Sequence, residues 1–206
     1  MKSYTASTLS EKNRFKVFDI MGKNERICPV EKAGHLESRF RKWSQNPNKI
    51  LRNYVKEGMT ALDLGCGVGF FSIPMAEMVG ESGKLIAVDV QEGMLEKLKN
   101  KIKGKEVEKR IMLHKNEEDE IGISEKTDFI LAFNVLHEVP NQNKFLEEIY
   151  AILKTNGNFF LVEPKLFHVS KKAFKETERK AISIGFSPIE KPRIFLSRAI
   201  LFTKSM

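Results

Sequence analysis

The chain has 206 residues, 41% hydrophobic and 30% charged, values that suit one globular domain with a sizeable core. No apolar run approaches the ~20 residues of a bilayer span, and residues 1–19 hold no continuous apolar block of the secretory kind, so neither a membrane-spanning nor an exported protein is expected. Two cysteines far apart in sequence, Cys28 and Cys66, exclude a disulfide-rich scaffold and point to a reduced, cytoplasmic setting.

The net charge of +8 is uneven: residues 1–57 carry 13 Lys/Arg against 6 Asp/Glu, and the rest of the chain is nearly neutral. A basic segment on a neutral body concentrates acidic partners or substrates around it. The blander alternative is a solvated basic surface. Aromatic residues do not interleave with the basic ones as a single-strand nucleic-acid groove would require.

In chain order, residues 1–33 are weakly patterned, with a short helical stretch near Glu11–Met21 and a turn at Gly22. Helices are expected over His35–Trp43 and Pro47–Lys56, the second opened by Asn46 and Pro47 and patterned by Ile50, Leu51, Tyr54 and Val55. With few large apolar side chains, residues 1–57 are read as an N-terminal helical lid rather than a separate folding unit, and residues 58–206 as the body.

From Met59 onward the pattern alternates strand and helix. Strands are expected at Met59–Leu64, Lys84–Asp89, Arg110–His114, Asp128–Phe133 and Asn158–Glu163. Helices are expected over Phe70–Val79, Gly93–Ile102, Asn143–Leu153 and Ser170–Ile184, the last ended by Gly185. Such alternation means an α/β fold, a doubly wound parallel sheet covered on both faces. Two closing strands, Pro188–Lys191 and Ile194–Phe202, lack an intervening helix and must pair antiparallel.

The stretch from Ala61 to Phe71 organises the rest. An apolar strand interrupted by Asp63 runs into Gly65, Gly67 and Gly69 and resumes as a helical pattern. Glycine is required where a chain turns sharply and lets a ligand approach bare backbone, and a strand–turn–helix of this kind handles nucleotides. The spacing Asp-x-Gly-x-Gly-x-Gly differs from the Gly-x-Gly-x-x-Gly dinucleotide fingerprint. It resembles the first motif of class I S-adenosylmethionine (SAM)-dependent methyltransferases, of the type 11 or ubiquinone- and menaquinone-methyltransferase-like kind.

That resemblance covers Met59 to the C-terminus. It implies a seven-stranded, mostly parallel Rossmann-like sheet with an antiparallel last strand, SAM as cofactor and S-adenosylhomocysteine (SAH) as product. On it, Asp63, Gly65, Cys66, Gly67 and Gly69 would wrap the methionine part of the cofactor, Asp63 towards its ammonium group; the plainer alternative for Asp63 is a buried carboxylate capping the turn. Cys66 itself is read as a small packing residue. Asp89, 20 residues after Gly69, would accept hydrogen bonds from the ribose hydroxyls, with Val90 and Gln91 along the ribose and adenine edge. Residues 115–123 are similar to the family's acidic adenine-contacting segment, with Glu117 or the adjacent Glu118 at the acidic place and Ile123 closing it. The family's glycine is replaced there by Asn116.

Asn134 opens the segment after the fourth strand, and His137 within it is the candidate for orienting or deprotonating an acceptor. The alternative is a packing role against the sulfonium side of the pocket. Glu163 and His168 are expected at the same edge. Cys28, His35, His137 and His168, with Glu138 or Glu163, could converge on a metal, but their spacing matches no tight metal motif and none is expected. His114 reads as structural.

The resulting expectation is an enzyme that methylates a small-molecule acceptor, for which the basic lid suits an anionic compound or a thiol, with oligomeric state open. RNA is the alternative acceptor; the Asn-Pro-Pro-aromatic motif of enzymes that methylate DNA amino groups is absent. A nicotinamide-dependent oxidoreductase and a non-catalytic SAM-binding module are the rival classes.

Overall fold

A computed structural model of the chain describes residues 39–165 and 169–205. Two short helices come first, α1 (Arg39–Ser44) and α2 (Pro47–Leu51). The body follows as β1 (Thr60–Leu64), α3 (Ser72–Val79), β2 (Lys84–Asp89), α4 (Glu92–Ile102), a 3₁₀ turn (Glu106–Arg110) and β3 (Ile111–Lys115). It continues with β4 (Thr127–Phe133), α5 (Gln142–Ile152), β5 (Leu153–Pro164), α6 (Lys171–Ile184), β6 (Phe186–Glu190) and β7 (Ser197–Lys204). The expected helix over residues 11–21 and the turn at Gly22 lie outside the described residues, as do Cys28, His35 and His168.

The seven strands form one sheet in the order β3-β2-β1-β4-β5-β7-β6. Strands β1 to β5 pair in parallel, and β7 runs antiparallel to both β5 and β6. The expected reversed last strand is therefore present. The strand order reverses between β1 and β4, so the ligand crevice of such a sheet opens at the carboxyl ends of these two strands.

Alternation along each strand divides the core in two. Ala61, Leu85, Ala87, Phe129, Leu131, Phe133, Phe160 and Val162 pack with α3 and α4 on one face. Leu62, Leu64, Ile86, Val88, Ile130, Ala132, Phe159 and Leu161 pack with α5 and α6 on the other. Both faces are dry, which is why these strands read as continuous apolar runs. By the same alternation Asp63 and Asp89 belong to the first face and Glu163 to the second.

Among the described residues, three element boundaries differ from expectation by three residues or more, each for a local reason. Helix α2 stops at Leu51 rather than Lys56, because the amides of Tyr54 and Val55 both turn back to the Leu51 carbonyl. Its apolar side chains serve the core instead: Leu51 and Val55 are buried, and Tyr54 stacks on Phe129 and tilts against Phe160. Strand β5 starts at Leu153, five residues early. Leu153 pairs with Thr127, but Asn158 is already opposite Phe129, so the polar residues between bulge out of register. Strand β7 begins at Ser197 rather than Ile194; Leu196 adopts φ +53, and Ile194 is buried from a loop.

Helix ends follow their sequence signals. Asn46, Asn141 and Ser170 accept the amides of Lys49, Lys144 and Ala173 from their own side chains, and Gly185 closes α6 at φ +122. Among the described residues no helix is long and apolar enough to cross a membrane.

Candidate active site

The loop after β1 is shaped by left-handed glycines and tied down from β2 and α4. Gly65, Gly67 and Gly69 take φ values of +66, +53 and +86, a region side-chain-bearing residues avoid. The Cys66 amide donates to the Val88 carbonyl on β2, and the Gly69 amide donates to the Cys66 carbonyl. From α4, Lys101 Nζ donates to the Val68 carbonyl at 3.2 Å. A Cβ at Gly65 would lie 2.4 Å from Val135 Cγ2, so this loop also abuts the segment after β4.

Two buried carboxylates flank the loop. Asp89, at the end of β2, accepts the Gly67 amide on Oδ2 at 2.8 Å and the Gln91 amide on Oδ1 at 2.9 Å. Burial raises its pKa, and those two amides oppose the shift. Asp63 accepts the Ser72 hydroxyl at 2.6 Å from the first residue of α3. Burial pushes Asp63 up to about 7; the Ser72 hydrogen bond and the Arg41 charge pull it down, and Asp89 adds to the rise. Asp63 thus grips the start of the helix rather than the glycine amides. Ser72 is a residue sequence reasoning missed, although a lone hydroxyl opening an apolar helix was its visible signal.

The other expected cofactor residues lie around this core. Cys66 is buried, donates its thiol weakly to the Gly67 carbonyl and packs in the first core, and burial raises its pKa well above normal. Val90 is half-buried, and Gln91 occupies the position just before α4 without a side-chain capping bond. Glu117 and Glu118 are exposed on a small turn in which the Glu117 amide donates to the Glu120 carbonyl. The turn is tied to the site by the Asn116 amide, which donates to the Asp89 carbonyl. Ile121 is the fully buried apolar residue of the segment, and Ile123 is half-buried behind it. Ile121 bonds the Glu148 carboxylate through its amide and the His114 ring through its carbonyl, which gives His114 a structural contact.

Across the crevice, Asn134 follows β4 with φ +61, and its amide donates to the Val162 carbonyl. Its side-chain oxygen is buried without a hydrogen-bond partner. His137 Nδ1 lies 2.5 Å from Glu163 Oε2, and its Nε2 lies 3.8 Å from Glu138 Oε1. Glu163 is 1% exposed, and its second oxygen has no partner. Burial lowers the His137 pKa, but the Glu163 hydrogen bond and the Glu163 and Glu138 charges outweigh it, so the ring is raised above its usual value. Burial raises Glu138 to about 7.

Helix α1 contributes one side chain to the crevice that sequence reasoning did not foresee. The Arg41 guanidinium lies 4.4 Å from the centre of the Phe70 ring and 6.0 Å from those of Phe71 and Phe133. Nothing in the sequence relates residue 41 to the glycine loop, because only the fold brings them together. Among the described residues no group of three His, Cys, Asp or Glu side chains could hold a metal ion.

Comparison with known proteins agrees with this geometry. A family described as methyltransferase domain matches residues 55–190. The demethylmenaquinone methyltransferase of Lactobacillus johnsonii is 34% identical over 110 residues, covering 53% of this chain and 45% of that protein. The one from Oceanobacillus iheyensis is 31% identical over 125 residues, covering 61% and 52%. The chain thus spans about half the length of the curated relatives it matches. A crystal structure of a SAM-dependent methyltransferase from Aquifex aeolicus superposes with TM-score 0.76 at 26% identity, over 86% of this chain and all of that one. From its family match, its sheet order and its glycine loop between two carboxylates, the chain belongs to the class I SAM-dependent methyltransferases, a family whose cofactor is SAM.

Proposed function

We propose that this chain methylates a small-molecule acceptor, with SAM held between the β1 loop and the end of β2. The observation that carries the reading is the glycine loop between two buried carboxylates. Its three residues of positive φ bare the main chain, and Asp89 stands fixed beside it. The residues present fit the cofactor. Asp89 offers two oxygens to a pair of hydroxyls, Asp63 is a buried acid whose charged form gains from an ammonium neighbour, and the unpartnered Asn134 oxygen is an acceptor awaiting a donor. Gly65, Cys66, Gly67 and Gly69 supply main-chain groups, while Val90, Gln91 and the Glu117–Glu118 turn line the nucleobase side.

When bound, SAM supplies an electrophilic methyl group on a sulfonium that is already an excellent leaving group. The protein's share of the work is therefore alignment, exclusion of water and removal of a proton from the acceptor. His137 is the residue for that last task. With Nδ1 carrying the proton that Glu163 accepts, Nε2, 3.8 Å from Glu138 Oε1, is the nitrogen left to take a proton. The raised basicity of the ring favours proton uptake.

A small molecule is favoured because the relatives reported above are named for demethylmenaquinone. The lid of residues 1–57, of which α1 and α2 are described, would cover the acceptor side. The test is to incubate the chain with methyl-labelled SAM and demethylmenaquinone, and in parallel with a small-molecule extract and with total RNA. Label in the solvent-extractable fraction is the expected result. Label confined to RNA, or no label together with no SAH binding, would overturn the reading.

A further inference from the structure

A chain of hydrogen bonds begins on α6 and ends on the segment that carries His137. Gln142, the first residue of α5, donates from Nε2 to the Leu136 carbonyl at 2.8 Å, and its Oε1 accepts Lys180 Nζ from α6 at 3.0 Å. The Thr177 hydroxyl on α6 lies 3.5 Å from the same Oε1, although its shorter bond is to the Ala173 carbonyl at 3.2 Å. The proposed chemistry makes no use of Gln142. Nor does α5 need it as a cap, because the Asn141 side chain already accepts the Lys144 amide.

The chemistry of the three partners fixes the direction of the chain. An ammonium can only donate and a main-chain carbonyl can only accept, so the residue between them must offer an acceptor to one and a donor to the other. A primary amide does both within one rigid plane; an ionised carboxylate does not. Lys180 therefore orients the amide, and the oriented amide presents its N–H to Leu136.

Leu136 is where a hold on the main chain bears most directly on His137. Its side chain is 1% exposed in the second core, and its carbonyl shares a planar peptide with the His137 amide. The other bond to that carbonyl, from the Val139 amide, is long at 3.3 Å. With the Leu136 side chain packed and its carbonyl held, the start of His137 is set. The ring can then meet Glu163 at 2.5 Å, a contact that tolerates little rotation of the preceding peptide.

We infer that Gln142 is a positioning residue for His137: held by Lys180, it pins the Leu136–His137 peptide so that the imidazole keeps its contact with Glu163. Helix α6 thereby acts on the site through α5. The inference rests on the reading of His137 as the group that takes the acceptor's proton.

The test separates this role from that of a bridge between two helices. Gln142→Glu keeps an acceptor for Lys180, and so keeps the bridge, but its carboxylate has no N–H for the Leu136 carbonyl. Gln142→Met has neither group. Nitrogen chemical shifts of the His137 ring in the intact chain, recorded above its pKa, report which nitrogen carries the proton and require no acceptor. The wild-type ring should be protonated on Nδ1. Both Gln142 variants should drift towards a mixture of the two tautomers, and Lys180→Met should drift less, since the amide keeps its donor and loses only its guide. With methyl-labelled SAM and the small-molecule extract used above, both Gln142 variants should slow transfer about 10-fold while SAH affinity stays within about 3-fold. In a His137→Ala background they should slow it no further. A Gln142→Glu ring with the wild-type tautomer, a wild-type ring protonated on Nε2, or a rate loss undiminished in His137→Ala would overturn the positioning role. If His137→Ala transfers as fast as wild type, the reading of His137 fails by itself, and the ring shifts still decide whether Gln142 holds it.

Discussion

On the β1–β2 side of the carboxyl edge the loop is shaped by its backbone, with Asp89 and Lys101 as the side chains that tie it down. Three left-handed glycines, the Cys66 amide on Val88 and the two amides on Asp89 hold a surface that barely depends on rotamers. On the β4–β5 side the groups are side chains held by one another: His137 on Glu163, Glu138 beyond it, and an Asn134 oxygen still without a partner. The first side suits a ligand of constant shape. The second can change with a few substitutions, which is what a varying methyl acceptor demands.

The comparison is tested most strongly by Asp89. Replacing it with alanine is expected to raise the SAH dissociation constant by about 10²–10⁴-fold, since two charge-assisted hydrogen bonds to the ligand would go. Circular dichroism should show an intact fold. An affinity within a few-fold of wild type would break the assignment of the backbone side as the cofactor side.

His137→Ala should behave in the opposite way, lowering methyl transfer about 10²–10⁴-fold while SAH affinity stays within about 3-fold. Glu163→Gln should lie between it and wild type and should shift the acid limb of the rate profile to lower pH, because the ring loses the charge that raises it. If His137→Ala weakens SAH binding as much as it slows transfer, the two sides are not separate.

How far each side could be read from sequence follows from the same contrast. A main-chain loop needs glycine, so Gly65, Gly67 and Gly69 announced the fold, and Asp89 could be placed because a strand length fixed its distance. Side-chain constellations carry no such mark. Glu163 could be put at the carboxyl edge, but its 2.5 Å contact with His137 depends on β4 and β5 being neighbours at one register. Arg41 was invisible for that reason, its partners lying about 30 to 90 residues away. The early start of β5 escaped because Lys154, Thr155 and Asn156 are exposed and break the apolar pattern.

Both sides should also register in the pH dependence of stability. Asp63 and Glu138 titrate near 7 in the folded chain, above the ordinary 3.8 and 4.5, and His137 is raised above 6.5. The folded state thus binds more protons than the unfolded one, and stability must fall as pH rises through these values. The carboxyl contributions are complete below about pH 4 and lost through about pH 7; that of His137 is complete below 6.5 and lost as its raised value is passed. The melting temperature of the ligand-free chain is expected to drop by several degrees between pH 5 and pH 8. Asp63→Asn should flatten the part due to the cofactor side and leave that due to Glu138 and His137. A flat profile in the wild-type chain would show that these groups are not held as described.

The smallest effect concerns Ser72, and its sign depends on pH. Above pH 7 the Asp63 carboxylate is charged and buried, and the Ser72 hydroxyl is a donor to it at 2.6 Å. Ser72→Ala removes that donor where the charge most needs it, at a cost of about 1–3 kcal/mol. Below pH 6 Asp63 carries its own proton, so the carboxyl group no longer needs an outside donor and the loss should shrink to about 1 kcal/mol or less. The substitution should therefore steepen the fall of the melting temperature with pH, whereas Asp63→Asn should flatten it. The double variant should track Asp63→Asn, because once the charge is gone the hydroxyl has no pH-dependent task left. If Ser72→Ala instead cost the same at pH 5.5 and pH 8, the hydroxyl would be serving the helix start alone, and Asp63 would be a structural cap rather than a group poised to meet a cation.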